Sequence, residues 1–367
     1  MEDYLPMANL TETAFYTRRF VKFSVFAVIG FVILKIVWGI GLAVWSKVFP
    51  PPPPPPTLAF GQLPKINFAP ALVASASAQY TYILETVDGK LPKLPVTAKV
   101  YFLPQSGVTF GDFDKMRAQA SRMGFTGDPK VIPNQVNGWH FDDSQNPLRH
   151  MDYNATSGNF HIYYDFGYDL NLFAERNFGS PEEVISQAVA YFSNLGLIRD
   201  DLSSGEQKTA YFRLEAGSLV PAESFAEADA VEVNFYREKI KDGEETYPVL
   251  TANPRQSLVS ITLSGNSNQT KKILDVRYYY WALDRENWAT YPLQSATAAF
   301  ETLKSGGAYV TSLLPAADEK KQITIRKVYL AYLDPFPPQT YLQPVIVFSD
   351  EKSFIAFVPA ITSNWYK

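Results

Sequence analysis

Apolar positions along this chain follow three patterns: an unbroken run, a helical stripe and a strand-like alternation. The unbroken run covers residues 23–45 and carries one charge, Lys35. A helix needs ~20 predominantly apolar residues to cross ~30 Å of hydrocarbon, so the run predicts one membrane-spanning helix. Three helical stripes follow it. Phe113, Met116, Ala120 and Met123 stand at offsets 0, 3, 7 and 10, as do Ile185, Ala188, Phe192 and Leu195, and Leu293, Ala296, Phe300 and Leu303. That spacing puts four side chains on one face of a helix. The second stripe has a strong start, because Ser180-Pro181-Glu182-Glu183 offers an N-cap, a proline at the first helical position and a capping-box glutamate. All three end near a glycine: Gly124, Gly196 and Gly306.

Strand-like segments come after each stripe. They are 136–142, 148–155 and 160–165 after the first; 209–215, 230–239, 257–264 and 272–283 after the second; and 322–333, 341–349 and 353–359 after the third. Thr156-Ser157-Gly158 and Asp350-Glu351-Lys352 predict hairpin turns. Segments 80–87 and 96–103 predict one further, leading hairpin. The expected fold class is therefore α+β: a single transmembrane helix, a proline spacer, then three repeated units of one helix on an antiparallel sheet. The expected divisions are a cytoplasmic tail (1–22), the span (23–46), a proline-rich linker (47–78) and units at 79–178, 179–288 and 289–367. The second unit is longer, with an insertion expected in 216–256.

Charge sets the expected orientation. Arg18, Arg19 and Lys22 precede the span and only Lys47 follows it closely, so the positive-inside rule places the N-terminus in the cytoplasm. The rest then lies outside, which makes this a plasma-membrane protein of prokaryotic type. No small-residue cleavage site follows the span directly, which favours an anchor over a signal peptide. Residues 50–56 are seven consecutive prolines, a stiff polyproline strut of ~20 Å. Five Lys/Arg stand against three Asp/Glu in the first 47 residues, so the chain's net −4 becomes −6 beyond them. An acidic outer region with no basic run argues against a nucleic-acid partner.

In the third unit, Val328-Tyr329-Leu330-Ala331-Tyr332, Leu342-Gln343-Pro344-Val345-Ile346-Val347-Phe348 and Phe357-Val358-Pro359-Ala360-Ile361 resemble the last domain of the YycH/YycI regulatory proteins, and PepSY-type domains in general. That resemblance implies one membrane helix, small extracytoplasmic α+β units and restraint of a membrane sensor kinase governing cell-wall metabolism. It supplies no catalytic residues.

The chain has no Cys and three His, which excludes disulfides, thiolate metal sites and a cysteine nucleophile. No G-x-S-x-G, H-E-x-x-H, Walker or G-x-G-x-x-G motif occurs. No catalytic, cofactor-binding or metal residues are assigned, and no cofactor is expected. A metal cluster of His140, His150 and His161 requires adjacent strands in matching register. Asp142, Asp143, Asp165, Asp169 and Asn171 offer carboxylates and an amide for Ca²⁺ or acid–base work, but match no defined spacing and suit solvated turns.

Lys35 is the candidate intramembrane contact, since a charge in mid-span costs ~2.5–3.5 kcal/mol on insertion scales; it either snorkels or pairs with a partner helix. Tyr163, Tyr278, Tyr280, Trp281 and Trp288 are candidate binding aromatics, with packing between units as the alternative. The expected function is a non-enzymatic, single-pass cell-envelope protein. Its outer domain binds a protein or envelope ligand and regulates a membrane sensor or wall-synthesis system. A structural part of a secretion, pilus or division assembly is the alternative, and a cell-wall hydrolase the second.

Overall fold

The structure is a computed structural model and describes residues 10–48, 54–68, 80–169, 171–312, 322–352 and 354–367. The chain divides into two compact units, Met1–Pro55 and Pro56–Lys367. The first is built on one helix, Leu10–Val48, of 39 residues. No proline interrupts it. Within it Ala14–Leu42 is long and apolar enough to cross a membrane, and no residue of its most apolar window is buried. Its length and composition fit a membrane anchor or a signal sequence. The helix starts well before the apolar run, so Arg18, Arg19 and Lys22 are helical too. Residues 50–53 of the proline run lie outside the described residues.

The second unit holds two large sheets. The larger has nine strands, in the spatial order Lys130–Val131, Gly138–Asp142, Arg149–Asn154, Phe160–Tyr164, Ile273–Tyr278, Val259–Ser264, Ala230–Phe235, Gln207–Glu215 and Ser218–Pro221. Every neighbouring pair in it is antiparallel. Helices Asp112–Arg122 and Pro181–Asn194 contribute Met116, Ala120, Val184, Ala188 and Phe192 to the core on one of its faces. The Ser180 side chain caps the second of these by accepting from the Glu183 N–H.

The smaller, seven-stranded sheet runs Val249–Thr251, Lys327–Asp334, Tyr341–Ser349, Thr97–Phe102 and Asp284–Pro292. Phe354–Pro359 also pairs with Tyr341–Ser349, and Tyr309–Ser312 pairs with Phe354–Pro359. Helix Ala296–Lys304 packs Ala299 and Leu303 against one face.

Three sequence-based expectations need correction. The three units do not form three separate sheets. Phe160–Tyr164 pairs with Ile273–Tyr278, which fuses the strands assigned to 79–178 with those assigned to 179–288. The physical reason is that each set leaves an unpaired edge, and joining the two edges satisfies both rows of backbone groups. The leading hairpin does not form either. Thr81–Leu84 pairs in parallel with Gln322–Ile325, and Thr97–Phe102 pairs with Asp284–Pro292 and the start of Tyr341–Ser349. Pro92 and Pro95 lie in the connection and lack the N–H that a ladder needs.

Finally, part of the expected linker is folded. Leu63 is fully buried, Phe60 lies 4.9 Å from the Tyr341 ring and Phe68 stacks on Tyr309 at 4.6 Å. The expected insertion holds the hairpin Ile240–Asp242/Glu245–Tyr247 and the strand Val249–Thr251, which crosses to the smaller sheet.

Arg237 fastens the two sheets together. It follows the large-sheet strand Ala230–Phe235, and its side chain is 4% exposed. The guanidinium donates to Asp201 Oδ2 at 2.5 Å, to Asp334 Oδ2 at 2.7 Å and to the Trp281 carbonyl at 2.5 Å. It also lies 4.6 Å from the Tyr280 ring centroid. Burial alone would favour the neutral form, but the two carboxylates outweigh it and raise the Arg237 pKa. Removing one partner of a buried ion pair strands a charge and costs ~3–5 kcal/mol. Arg237→Met should therefore lower the unfolding free energy of residues 56–367 by about that much in a urea titration. A loss below ~1 kcal/mol would show that the sheets hold together without it.

Candidate functional site

The two faces of the large sheet differ because side chains alternate along a strand. Phe141, Met151, Tyr153, Phe160, Ile162, Val276 and Tyr278 point to the helices. The positions between them put His140, Asp142, His150, Asp152, His161, Tyr163, Asp275 and Arg277 on the opposite face. Register then sets the neighbours. Asp142 stands opposite His150 and His140 opposite Asp152; His150 faces Tyr163 and Asp152 faces His161; Tyr163 faces Asp275 and His161 faces Arg277. Two H-x-D tripeptides on antiparallel strands thus make a checkerboard of imidazole and carboxylate.

The contacts within it are short. His140 Nδ1 lies 2.7 Å from Asp152 Oδ1, and its Nε2 lies 3.1 Å from Asp142 Oδ1. His150 Nδ1 is 2.9 Å from the same Asp142 Oδ1, and its Nε2 is 3.5 Å from Asp165 Oδ2. The two rings stack at 5.7 Å. Lys130 Nζ donates to Asp142 Oδ2 at 2.7 Å. The Lys130 ammonium and the two imidazoles hold the Asp142 carboxyl well below the usual carboxylate range. Burial lowers the His140 pKa, but the bonds to Asp152 and Asp142 outweigh it, and the net shift is upward.

The matching register that a histidine cluster requires is present for His140 and His150. His161 goes elsewhere, pairing with Asp275 Oδ2 at 2.6 Å. Beside it a concave groove of about 420 Å³ opens, with His161, Tyr163, Phe166, Glu232, Asp275 and Arg277 among its walls. Arg277 bridges Glu232 at 2.9 Å.

The other candidates separate by environment. Tyr278 is not an outward ring: it is 4% exposed, stacks on Phe160 at 5.4 Å and donates to the Leu197 carbonyl. It shares its side of the strand with Val276, which faces the helices. Trp281 is also buried, at the Arg237 joint. Tyr280 is half-buried there and donates to Asp201 Oδ1 at 2.9 Å. Trp288 remains accessible, with Lys99 Nζ 4.4 Å from its ring. Tyr163 sits between His150 and His161, 5.3 Å from each ring. Lys35 is on the N-terminal helix, 5.6 Å from the Phe31 ring one turn away.

Of the acidic candidates, Asp143 makes a buried pair with Arg149 at 2.9 Å. Asp169 accepts from Lys271 Nζ at 2.6 Å and from the Tyr164 hydroxyl at 2.8 Å. Asn171 gives its backbone N–H to Asp169. Lys130, Asp152, Asp275, Arg277 and Arg237 were missed by sequence reasoning. For Asp152 the repeated H-x-D spacing was the available signal; Lys130, Asp275 and Arg277 come in through strand pairing.

No protein-family model matches the chain, and no curated protein matches it. One solved structure to which it is similar is that of an uncharacterized protein from Eubacterium rectale. The two are 12% identical, over 73% of this chain and 84% of that one, with a TM-score of 0.38. A likeness of that degree carries no functional argument.

Asp169 yields a pH prediction. Burial pushes its carboxyl up, but the Lys271 and Tyr164 bonds outweigh this and lower it below the usual range. A carboxyl depressed in the folded state contributes stability above its unfolded value, ~3.9, and loses it as pH falls through the folded value. The melting temperature of Asp169→Asn should therefore fall below wild type at pH 7, with the gap narrowing below pH ~4. A gap independent of pH would show that the charge contributes nothing.

Proposed function

We propose that this chain is a non-enzymatic, single-pass membrane protein of a prokaryotic cell envelope. In this reading Pro56–Lys367 lies outside the cytoplasm, binds a protein or envelope ligand, and regulates a membrane sensor or wall-synthesis system. The observation that carries the reading is the 29-residue apolar stretch Ala14–Leu42 ahead of a separately compact α+β unit. Arg18, Arg19 and Lys22 ahead of residues 23–45, and Lys47 after them, favour a cytoplasmic N-terminus. The groove at Tyr163 gives the folded unit a concave surface for a ligand. The regulatory element of the proposal rests on the resemblance of residues 328–361 to the YycH/YycI proteins.

Orientation is tested by reporter fusions at Lys367. Alkaline phosphatase fused there should be active and a fluorescent protein that folds only in the cytoplasm dark; the reverse pattern would sink the proposal. Lys35 tests how a partner is recognised. A tether needs only apolar length, whereas a helix that docks on partner helices uses a buried ammonium for specificity. Lys35→Leu should keep membrane localisation and reduce partner co-purification at least ~10-fold relative to wild type. Undiminished co-purification would leave the folded unit as the contact surface.

A further inference from the structure

We infer that His140, Asp142 and His150 form a binding site for a divalent transition-metal ion of the zinc class. One ligand atom from each residue lies within 4.8 Å of the other two, and the nitrogens that face Asp142 are His140 Nε2 and His150 Nδ1. This goes beyond the envelope reading above and does not depend on which side of a membrane the folded unit occupies.

Geometry supports it first. With zinc–ligand bonds of ~2.0–2.1 Å, a tetrahedral site holds its ligand atoms ~3.3 Å apart. Asp142 Oδ1 is already 3.1 Å from His140 Nε2 and 2.9 Å from His150 Nδ1. Small side-chain rotations complete the triangle. The fourth position is toward solvent, since the Asp142 side chain is 44% exposed, and water fills it.

Hydrogen-bond chemistry supports it second. Each imidazole has a carboxylate at both nitrogens: Asp152 and Asp142 for His140, Asp165 and Asp142 for His150. A neutral ring has one N–H for two acceptors. With N–H on the nitrogen facing Asp152 or Asp165, the lone pair of the other points at Asp142. A cation placed there takes the position of the ring protons that otherwise bridge His140 and His150 to Asp142, and binds the two nitrogens and the carboxylate oxygen directly. The outer carboxylates then fix tautomer and ring orientation, as they do behind histidine ligands generally.

Charge supports it third. Asp142, Asp152 and Asp165 against Lys130 leave −2 around neutral imidazoles, which a divalent ion neutralises. Imidazole ligands select zinc, copper or nickel over calcium and magnesium. The Lys130 ammonium, on a side chain 72% exposed, is the resident competitor and is free to swing into solvent.

The test uses the tag-free, full-length protein in detergent micelles, stripped with chelator. It is titrated with Zn²⁺ alone by calorimetry, and with Co²⁺ by visible absorption. One ion per chain should bind at micromolar concentration or tighter, with Co²⁺ bands of four-coordinate intensity. His140→Gln and His150→Gln should each weaken binding at least ~10-fold. Asp152→Asn touches only the far nitrogen of His140 and should weaken it ~10–100-fold. Lys130→Gln should strengthen binding, and His161→Gln should leave it unchanged. Melting curves in chelator show whether each variant folds; if a histidine variant does not, Lys130→Gln and Asp152→Asn decide. Absence of saturable Zn²⁺ binding overturns the assignment. So does binding undiminished in His140→Gln/His150→Gln, or equal competition by Ca²⁺.

Discussion

The folded unit depends on a buried guanidinium. Arg237 joins the end of a central strand of the large sheet, the helical turn Asp200–Ser203 and the end of the small-sheet strand Lys327–Asp334. Taking three charges out of water is costly, and such a cluster is weak evidence for net stability. Its consequence is positional. Asp334 Oδ1 has no hydrogen-bond partner among the described residues, and burial raises the Asp334 carboxyl despite the opposing Arg237. A joint so dependent on one cation tolerates little displacement. Even the backbone nearby is tightly fitted: a Cβ on Gly205 would meet the Tyr236 carbonyl oxygen at 1.8 Å.

With the sheets fixed in this way, the large sheet buries one face beneath two helices. Alternation then dictates the other. Each strand that gives Phe141, Met151, Ile162 or Val276 to the core must send its intervening side chains outward, and those are imidazoles and carboxylates together with Tyr163 and Arg277. The polar lattice is thus a product of the same periodicity that builds the core. Extending the sheet across the edge between Phe160–Tyr164 and Ile273–Tyr278 adds Asp275 and Arg277 to it, along with the groove.

Local patterns were legible in the sequence, and long-range choices were not. The stripes through Met116, Ala120, Ala188, Phe192 and Leu303 are core positions, and the hairpins at 148–165 and 341–359 form as their turns indicate. Which strand edge meets which is decided by non-local pairing, which periodicity does not encode. Val249–Thr251 looked like part of an insertion and belongs to the other sheet. Residues 57–68 looked like a linker because the stretch 57–78 is rich in Pro and Ala and shows no clear periodicity, yet Leu63 is fully buried. Tyr278 was misplaced for a related reason: in a run of four aromatics, the side each ring takes depends on strand register. Tyr163 alone among the named aromatics came out beside the histidine cluster. The histidines themselves were visible, but their pairing needed the register of three strands.

A lattice of opposite charges stabilises a sheet whether or not it binds anything, so alternation alone does not make a site. The chain contains its own comparison. His161 and Asp275 share the same face and the same chemistry at 2.6 Å. There one imidazole meets one carboxylate, and Arg277 Nε, 3.3 Å from Asp275 Oδ1, supplies the compensating charge. At Asp142 two imidazoles converge on a single oxygen, each with another carboxylate behind it, while the available cation is an exposed lysine. Cross-strand stabilisation accounts for the first arrangement completely. At Asp142 the register brings two imidazoles together, since Asp142 stands opposite His150 and two residues along its strand from His140. What convergence adds is a point where three potential ligand atoms meet, and the proposed metal ion uses that point rather than the cross-strand pairing itself.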